Sequence, residues 1–345
     1  MADRAALLSA LGGEAGCKRL STAFYGRVRN DPVLRPLFPG KTLKCAIEEF
    51  AAFLIQFLGG DEEQTQRRWW LSLRESHARF EIGPAERRAW LKHMAATLEE
   101  SEIDKPARES FRQFFEHSSA YLIGQETPPP EHDDLAARWR NQRVLDQTIA
   151  AIAAGRNHEA RALAAQFVSR PSVFAGLLAR MVQSGRTNLI VFVIDAVEQD
   201  PSLVTRRFAG RTLLHVASGA GCLNVVACLL RLGADPNVRD GGGHTPLYSV
   251  ANQCASVKGP DIVRALVEAG ADVNASGGVT RATALHMAAR RGFVEIAQTL
   301  LDDGAAIEAR DTKRHTPLQR AINCRRPLVA QLLKERAARS EISRL

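Results

Sequence analysis

The stretch "SLRESHARFEI", residues 72–82, sets one histidine, His77, in a charged run with Phe80 and Ile82 just downstream. An imidazole can ligate a metal as a neutral nitrogen donor or move a proton near neutral pH. A lone histidine is more often solvated or structural, and taken alone His77 is an ordinary surface residue. The six cysteines, at 17, 45, 222, 228, 254 and 324, form no C-x-x-C pair and no zinc-finger spacing. They are expected to be reduced, mostly buried thiols of a cytoplasmic protein, Cys45 included. His215 and His286 recur at one place in an internal repeat, where a hydrogen-bonding role is expected and not a metal.

The chain that must position these residues is long enough, at 345 residues, for two or three domains with their own cores. With 45% hydrophobic and 24% charged residues it has a soluble, globular composition. The start, "MADRAALLSALGG", has no signal-peptide-like apolar stretch behind a basic run. The most apolar later segment, "LIVFVIDAV", is short and carries Asp195, so core is expected there and no membrane span. The net charge of +8 is uneven: 18 Lys and Arg face 17 Asp and Glu up to residue 125, and 28 face 21 beyond. A diffuse surplus of this kind serves solubility more often than nucleic-acid binding, which is disfavoured here.

"IGQETPPPEHDD", residues 123–134, is the clearest boundary, because three successive prolines cannot continue a helix and favour an extended spacer. Aromatics are frequent before it and nearly vanish after it. Beyond residue 206 the sequence repeats, with threonines at 212, 245, 283 and 316 in steps of 33, 38 and 33. Each unit opens with Thr followed by Pro or a substitute, which suits a helix N-cap and first turn. Gly221 and Gly292 are placed to end the first helix in the left-handed conformation. A second apolar helix and "GADPN" or "GADVN" then turn the chain onward. This pattern resembles the ankyrin repeat over residues 207–335, in period, in T-P-L-H-x-A and in G-A-D-x-N. Tyr248 and Gln319 replace the usual His, and Leu213 and Ala284 the Pro, which is expected to weaken the caps. About four repeats are assigned to 207–338, and 135–206 to a helical cap with a degraded ankyrin-like unit at 174–206, since a stack needs atypical ends.

Residues 1–122 have the pattern of several helices with short connections. The order "AFYGRVRNDPVLRPLFPG", "EEFAAFLIQFLGG", "LRESHARFEI", "RRAWLKHMAATL" resembles a truncated haemoglobin of the second group. The resemblance implies haem b, with His77 as the proximal iron ligand. It matches Tyr25 and Trp90 to the distal hydrogen-bond donors, and Phe38, Ala46 and Phe50 to residues packing around the haem; Phe80 is placed in the same site. Arg74 is a candidate partner for a haem propionate. Trp69, Trp70 and Leu71 replace the usual Gly-His-Pro stretch, and Gln64 stands where Tyr is common, so the loop before the proximal helix departs from the family.

The expected fold is therefore all-α, a truncated globin followed by an ankyrin solenoid. The expected function is binding of O2, with NO and CO as further gaseous ligands, coupled to a protein partner as a sensor or localised O2-binding module. The alternative is an enzyme, a NO dioxygenase or peroxidase-like activity targeted by the repeats, although the chain has no flavin or NAD-binding segment to supply electrons. Arg239, Arg281, Arg310, Lys313 and Arg314, with Arg206 and Arg207, fall near the inter-repeat turns, where they would suit an acidic protein partner.

Overall fold

The computed structural model describes residues 6–40, 42–59, 72–125 and 133–342. Gln64, Trp69, Trp70, Leu71 and the three linker prolines lie outside the described residues. The chain divides into two compact units, residues 1–150 and 151–345.

In the first unit, α1 (Ala6–Ala10) turns directly into α2 (Gly13–Val28). The turn is tight: a Cβ on Gly16 would lie 1.5 Å from the Leu11 carbonyl oxygen, so no larger residue fits. Along α2, Cys17, Leu20, Phe24 and Val28 recur at helical spacing and are all buried. This helix packs against α3 (Lys44–Phe57) and α5 (Pro84–Glu99), with the short α4 (Leu73–His77) between them in sequence. The helix starts follow their sequence signals. Ser72 Oγ accepts from the Glu75 amide at 3.0 Å, Glu86 accepts from the Gly83 amide at 2.9 Å, and Asp104 accepts from the Ala107 amide at 2.8 Å. Asp104 opens α6 (Lys105–Leu122), whose Phe111, Phe114 and Phe115 are fully buried. Each contributes roughly 1.5–3 kcal/mol by leaving water.

The unit does not stop at the proline-rich stretch. Helix α7 (Asp133–Ala154) brings Trp139, 4% exposed, edge-on to Phe114 and Tyr121 at ring distances of 6.0 and 5.3 Å. Arg138 donates to the Phe57 carbonyl at 2.7 Å. The first part of α7 thus belongs to the N-terminal unit, which runs to Ala150.

The second unit begins with α8 (Asn157–Ala164) and continues as helix pairs. These are α9 (Pro171–Ser184) with α10 (Thr187–Gln199), α11 (Leu213–Ala220) with α12 (Leu223–Arg231), and α13 (Pro246–Gln253) with α14 (Gly259–Glu268). Then follow α15 (Ala284–Arg291) with α16 (Val294–Asp302) and α17 (Pro317–Asn323) with α18 (Pro327–Ile342). First helices stack on first helices and second on second, so each pair buries its apolar face against its neighbours. The only strands among the described residues are β1 (Arg207–Phe208) and β2 (Arg211–Thr212), paired as a hairpin between successive helix pairs. The fold is otherwise helical, as expected.

Two ladders tie the pairs together. His215 Nδ1 bonds Thr212 Oγ1 at 2.8 Å, and its Nε2 bonds the His244 carbonyl of the next repeat at 3.0 Å. His286 does the same with Thr283 and the His315 carbonyl, at 2.8 and 3.0 Å. Gln319, expected to weaken its cap, does not: its Oε1 accepts from the Thr316 amide at 2.8 Å, the bond that the imidazole makes elsewhere. Tyr248 has no such atom in reach and stacks on His244, ring centroids 4.2 Å apart. In the G-A-D-x-N turns, Asn237 donates to the Gly270 carbonyl and accepts from the Asp272 amide, both at 2.8 Å. Asn274 bridges likewise to Gly304 and Ala306, at 3.2 and 2.7 Å.

Candidate functional site

Within the first unit a cleft opens between α2, α3, α4, α5 and α6, with about 1410 Å³ of space when its solvent-facing mouth is counted. Tyr25, Phe38, Ala46, Phe50, His77, Phe80 and Trp90, brought forward from four separate stretches of sequence, all line it. Tyr25 comes from α2 and Trp90 from α5, each on the helix face next to the core residue Phe24, which touches both rings at 5.1 Å. Phe50, on α3, meets Tyr25 and Trp90 at 6.3 Å. From the other wall, Phe80 stands 6.2 Å from the His77 ring and 5.5 Å from Phe38, which meets Tyr25 at 5.5 Å. The lining is thus mostly apolar, with nine aromatic side chains and a smaller polar set.

Those polar atoms are specific. His77 Nδ1 lies 2.8 Å from the Leu73 carbonyl and 2.9 Å from Ser76 Oγ, which itself donates to the same carbonyl at 2.8 Å. The carbonyl can only accept, so Nδ1 carries the proton and Nε2 is left with its lone pair. Burial holds the imidazole below its usual range, against the Leu73 hydrogen bond. His77 is therefore a neutral, oriented nitrogen donor at neutral pH. Burial likewise pushes the Tyr25 phenol well up, with Glu49 adding to the effect, so its proton stays on. Among the described residues neither the Tyr25 hydroxyl nor the Trp90 indole N–H has a hydrogen-bond partner, and both remain available to an occupant.

Arg74 is the exception among the expected site residues. It does not line the cleft; its guanidinium lies 4.0 Å over the Tyr121 ring and donates to the Tyr121 carbonyl at 3.3 Å. Spacing would allow it to face the cleft, since i and i+3 share a helix side; the physical reason is the neighbouring ring, because Tyr121 on α6 draws the guanidinium by a cation–π contact. The cations that do line the cleft are Arg79 and Arg87. Arg79 pairs with Glu49 at 3.5 Å, and Arg87 is held by Ser119 Oγ at 3.1 Å and the Glu116 carbonyl at 3.2 Å. Arg79, two residues past His77, was within sight of the sequence; Arg87 needed the packing of α5 on α6. Cys45 is also corrected: it is exposed at the start of α3, whereas Cys17, Cys228 and Cys254 are buried.

The donor set fits a haem. A flat apolar macrocycle suits an aromatic slot, one neutral imidazole suits its iron, and Arg79 and Arg87 suit its carboxylates. Among the described residues no cluster of three or more His, Cys, Asp or Glu could hold a metal ion without a macrocycle.

In the second unit Arg206, Arg207, Arg239, Arg281, Arg310, Lys313 and Arg314 are all exposed near the turns. Three of them also serve the fold. Arg207 donates to the Arg239 carbonyl at 2.7 Å, Arg239 to those of Gly243 and Ser276 at 2.8 and 2.9 Å, and Arg310 to that of Arg314 at 3.1 Å. Carbonyl bonds occupy donors and leave the charge in place.

Comparison with known proteins matches this architecture. Residues 6–121 match the bacterial-like globin family, and residues 178–277 and 252–343 match ankyrin repeats. The chain is a bacterial-like, truncated globin domain followed by ankyrin repeats. Its globin part is 29% identical over 113 residues to group 2 truncated hemoglobin YjbI of Bacillus subtilis, spanning 33% of this chain and 85% of that protein. It is 30% identical over 107 residues to two-on-two hemoglobin-3 of Arabidopsis thaliana, spanning 30% of this chain and 61% of that protein. Its repeats are 34% identical over 140 residues to the B-cell lymphoma 3 protein homolog of Mus musculus, spanning 40% of this chain and 29% of that protein. The chain covers only 5–38% of the length of five ankyrin-repeat relatives it matches. Among the described residues no helix is long and apolar enough to cross a membrane.

Proposed function

We propose that the N-terminal unit binds haem b through His77 and a diatomic gas, O2 foremost, beside Tyr25 and Trp90, and that the ankyrin repeats join this unit to a protein partner. The observation that carries the proposal is the pairing of a fixed, neutral imidazole on α4 with two unpartnered donors on α2 and α5 in one aromatic cleft. Haem, when bound, supplies an iron that takes one protein nitrogen and leaves a position for a gas. His77 provides that nitrogen, and the Leu73 carbonyl holds the ring in its tautomer. The Tyr25 hydroxyl and Trp90 N–H favour a ligand that gathers negative charge, so they stabilise bound O2 more than bound CO. Phe24, Phe50 and Phe115 exclude water from those donors. None of the six cysteines lines the cleft, which favours non-covalent haem b.

The first test is the absorption spectrum of the full-length protein as isolated, after reduction and after CO, beside His77→Ala. A Soret band that shifts with CO and is lost or severely altered in the variant supports the proposal; no haem uptake by the wild type after reconstitution sinks it. In the sensor role, partner affinity differs between ligand-free, O2-bound and ferric forms, and equal affinity rules it out. Turnover of NO with an external reductase would move the assignment to an enzyme. For the partner, the exposed Arg239, Arg281, Arg310, Lys313 and Arg314 favour an acidic surface, and binding that does not weaken with salt would contradict that.

A further inference from the structure

Asp146 lies beyond the globin match, which ends at residue 121, on the part of α7 that packs in the N-terminal unit. A carboxylate 4% exposed is rarely tolerated unless it is hydrogen-bonded. This one accepts from the Leu73 amide at 2.9 Å and from Gln142 Nε2 at 3.1 Å, both on Oδ1. The Ser72 and Tyr121 hydroxyls approach the same carboxylate. Leu73 is the residue whose carbonyl takes the His77 Nδ1 proton. One residue is therefore gripped at both backbone atoms, by a side chain from α7 on its N–H and by the ligand histidine on its C=O.

The neighbours reinforce the grip. Arg74 stacks on Tyr121, Tyr121 meets Trp139 edge-on, and Trp139 lies two helical turns before Asp146 on α7. Burial pushes the Tyr121 phenol up to about 12, so its hydroxyl keeps its proton near Asp146, whose Oδ2 has no hydrogen-bond partner among the described residues. The Asp146 charge is also near enough to act on the His77 imidazole, opposing the effect of burial.

We propose that Asp146 is a positioning residue for His77: it fixes Leu73, whose carbonyl orients the imidazole. The helix that follows the globin match is then part of the proximal wall. The proposal rests on ligation of haem by His77.

The test uses the full chain as wild type, Asp146→Asn and Trp139→Phe, reconstituted with haem, with the iron–histidine stretching line of the reduced protein read by resonance Raman. Asp146→Asn keeps shape and an acceptor oxygen but removes the charge; Trp139→Phe loosens α7 without touching Leu73. The expected result is a shift of the line to lower frequency in Asp146→Asn alone. In the haem-free chain, the Leu73 amide should exchange about fivefold faster in Asp146→Asn, the difference between a charge-assisted and a neutral hydrogen bond. Haem-loaded Asp146→Asn with an unmoved line, or a line moved equally by both variants, overturns the positioning role and leaves His77 ligation standing. A wild type that takes up no haem overturns both.

Discussion

Replacing His286 gives the most quantitative test of how the ankyrin unit is held. Its imidazole is 1% exposed, accepts from the Thr283 amide at 3.2 Å and bonds the His315 carbonyl of the next repeat at 3.0 Å. In His286→Ala both backbone groups lose their partner inside the stack, at about 1–3 kcal/mol each, so a loss of about 3–5 kcal/mol is expected. His286→Gln should cost less, about 1–2 kcal/mol, because Gln319 shows that an amide oxygen can take the threonine N–H while the neighbouring carbonyl stays unmet. Burial holds both His215 and His286 below the usual histidine range. The unfolded chain therefore takes up protons first as pH falls. Stability from these two residues is complete above about 6.5 and is lost as pH drops through that value towards their lower folded values, by at most about 2.7 kcal/mol per pH unit. The assay is urea unfolding of the full chain at pH 7.5 and 5.5. All four tryptophans, 69, 70, 90 and 139, precede residue 150, so fluorescence follows the N-terminal unit, and the part of the far-ultraviolet circular dichroism change that fluorescence does not follow reports the repeats. A loss under about 1 kcal/mol in His286→Ala, or equal losses in the Ala and Gln variants, would falsify this account of the ladder.

Three other outcomes are expected. Tyr25→Phe and Trp90→Phe should each speed O2 dissociation about tenfold, from loss of one hydrogen bond of about 1.4 kcal/mol, and leave CO dissociation within about twofold; equal effects on both gases would point to packing instead. Asp31 accepts from the Val33 and Leu34 amides and pairs with His93 at 2.7 Å, and the His93 bond holds its carboxyl below the usual range. Asp31→Asn should therefore cost about 1–2 kcal/mol above pH 5, the gap closing as pH falls past the ordinary carboxylate value of about 3.9 and through the lower folded one; a gap that persists in acid would show that charge is not involved. Cys45 should react with a thiol reagent in the native protein while Cys17, whose thiol burial pushes up to about 12, stays inert; equal labelling would contradict their burial.

The sequence made the repeats plain because local signals recur in one frame: a threonine cap in all four, a glycine stop at Gly221 and Gly292, and a turn asparagine at Asn237 and Asn274. The cleft was harder. Tyr25, Phe38, Phe50, His77 and Trp90 carry no spacing that announces a common cavity, and only the order of whole segments, as a resemblance, brought them together. Arg74 failed because direction on a short helix is set by which neighbour it meets, here Tyr121, and no local signal encodes that. Asp146 was invisible for a related reason, since its partner Leu73 is remote in the chain and the bond goes to a backbone amide, which every residue has. Cys45 was misplaced because an apolar helix still exposes its first turn.

The asparagine bridges have a consequence for the length of the solenoid. Asn237 and Asn274 each need a following turn to receive their bonds, and the corresponding place in the next turn is taken by Glu308. Beyond it α18 runs unbroken for 16 residues, where α12, α14 and α16 run 9 or 10 before turning. The bridging side chain is thus dropped one repeat before the turn that it would have gripped is dropped. A loop-to-loop tie is therefore a property of the turn that follows as much as of the asparagine, and Asn at 308 would gain nothing unless a turn were also built into α18.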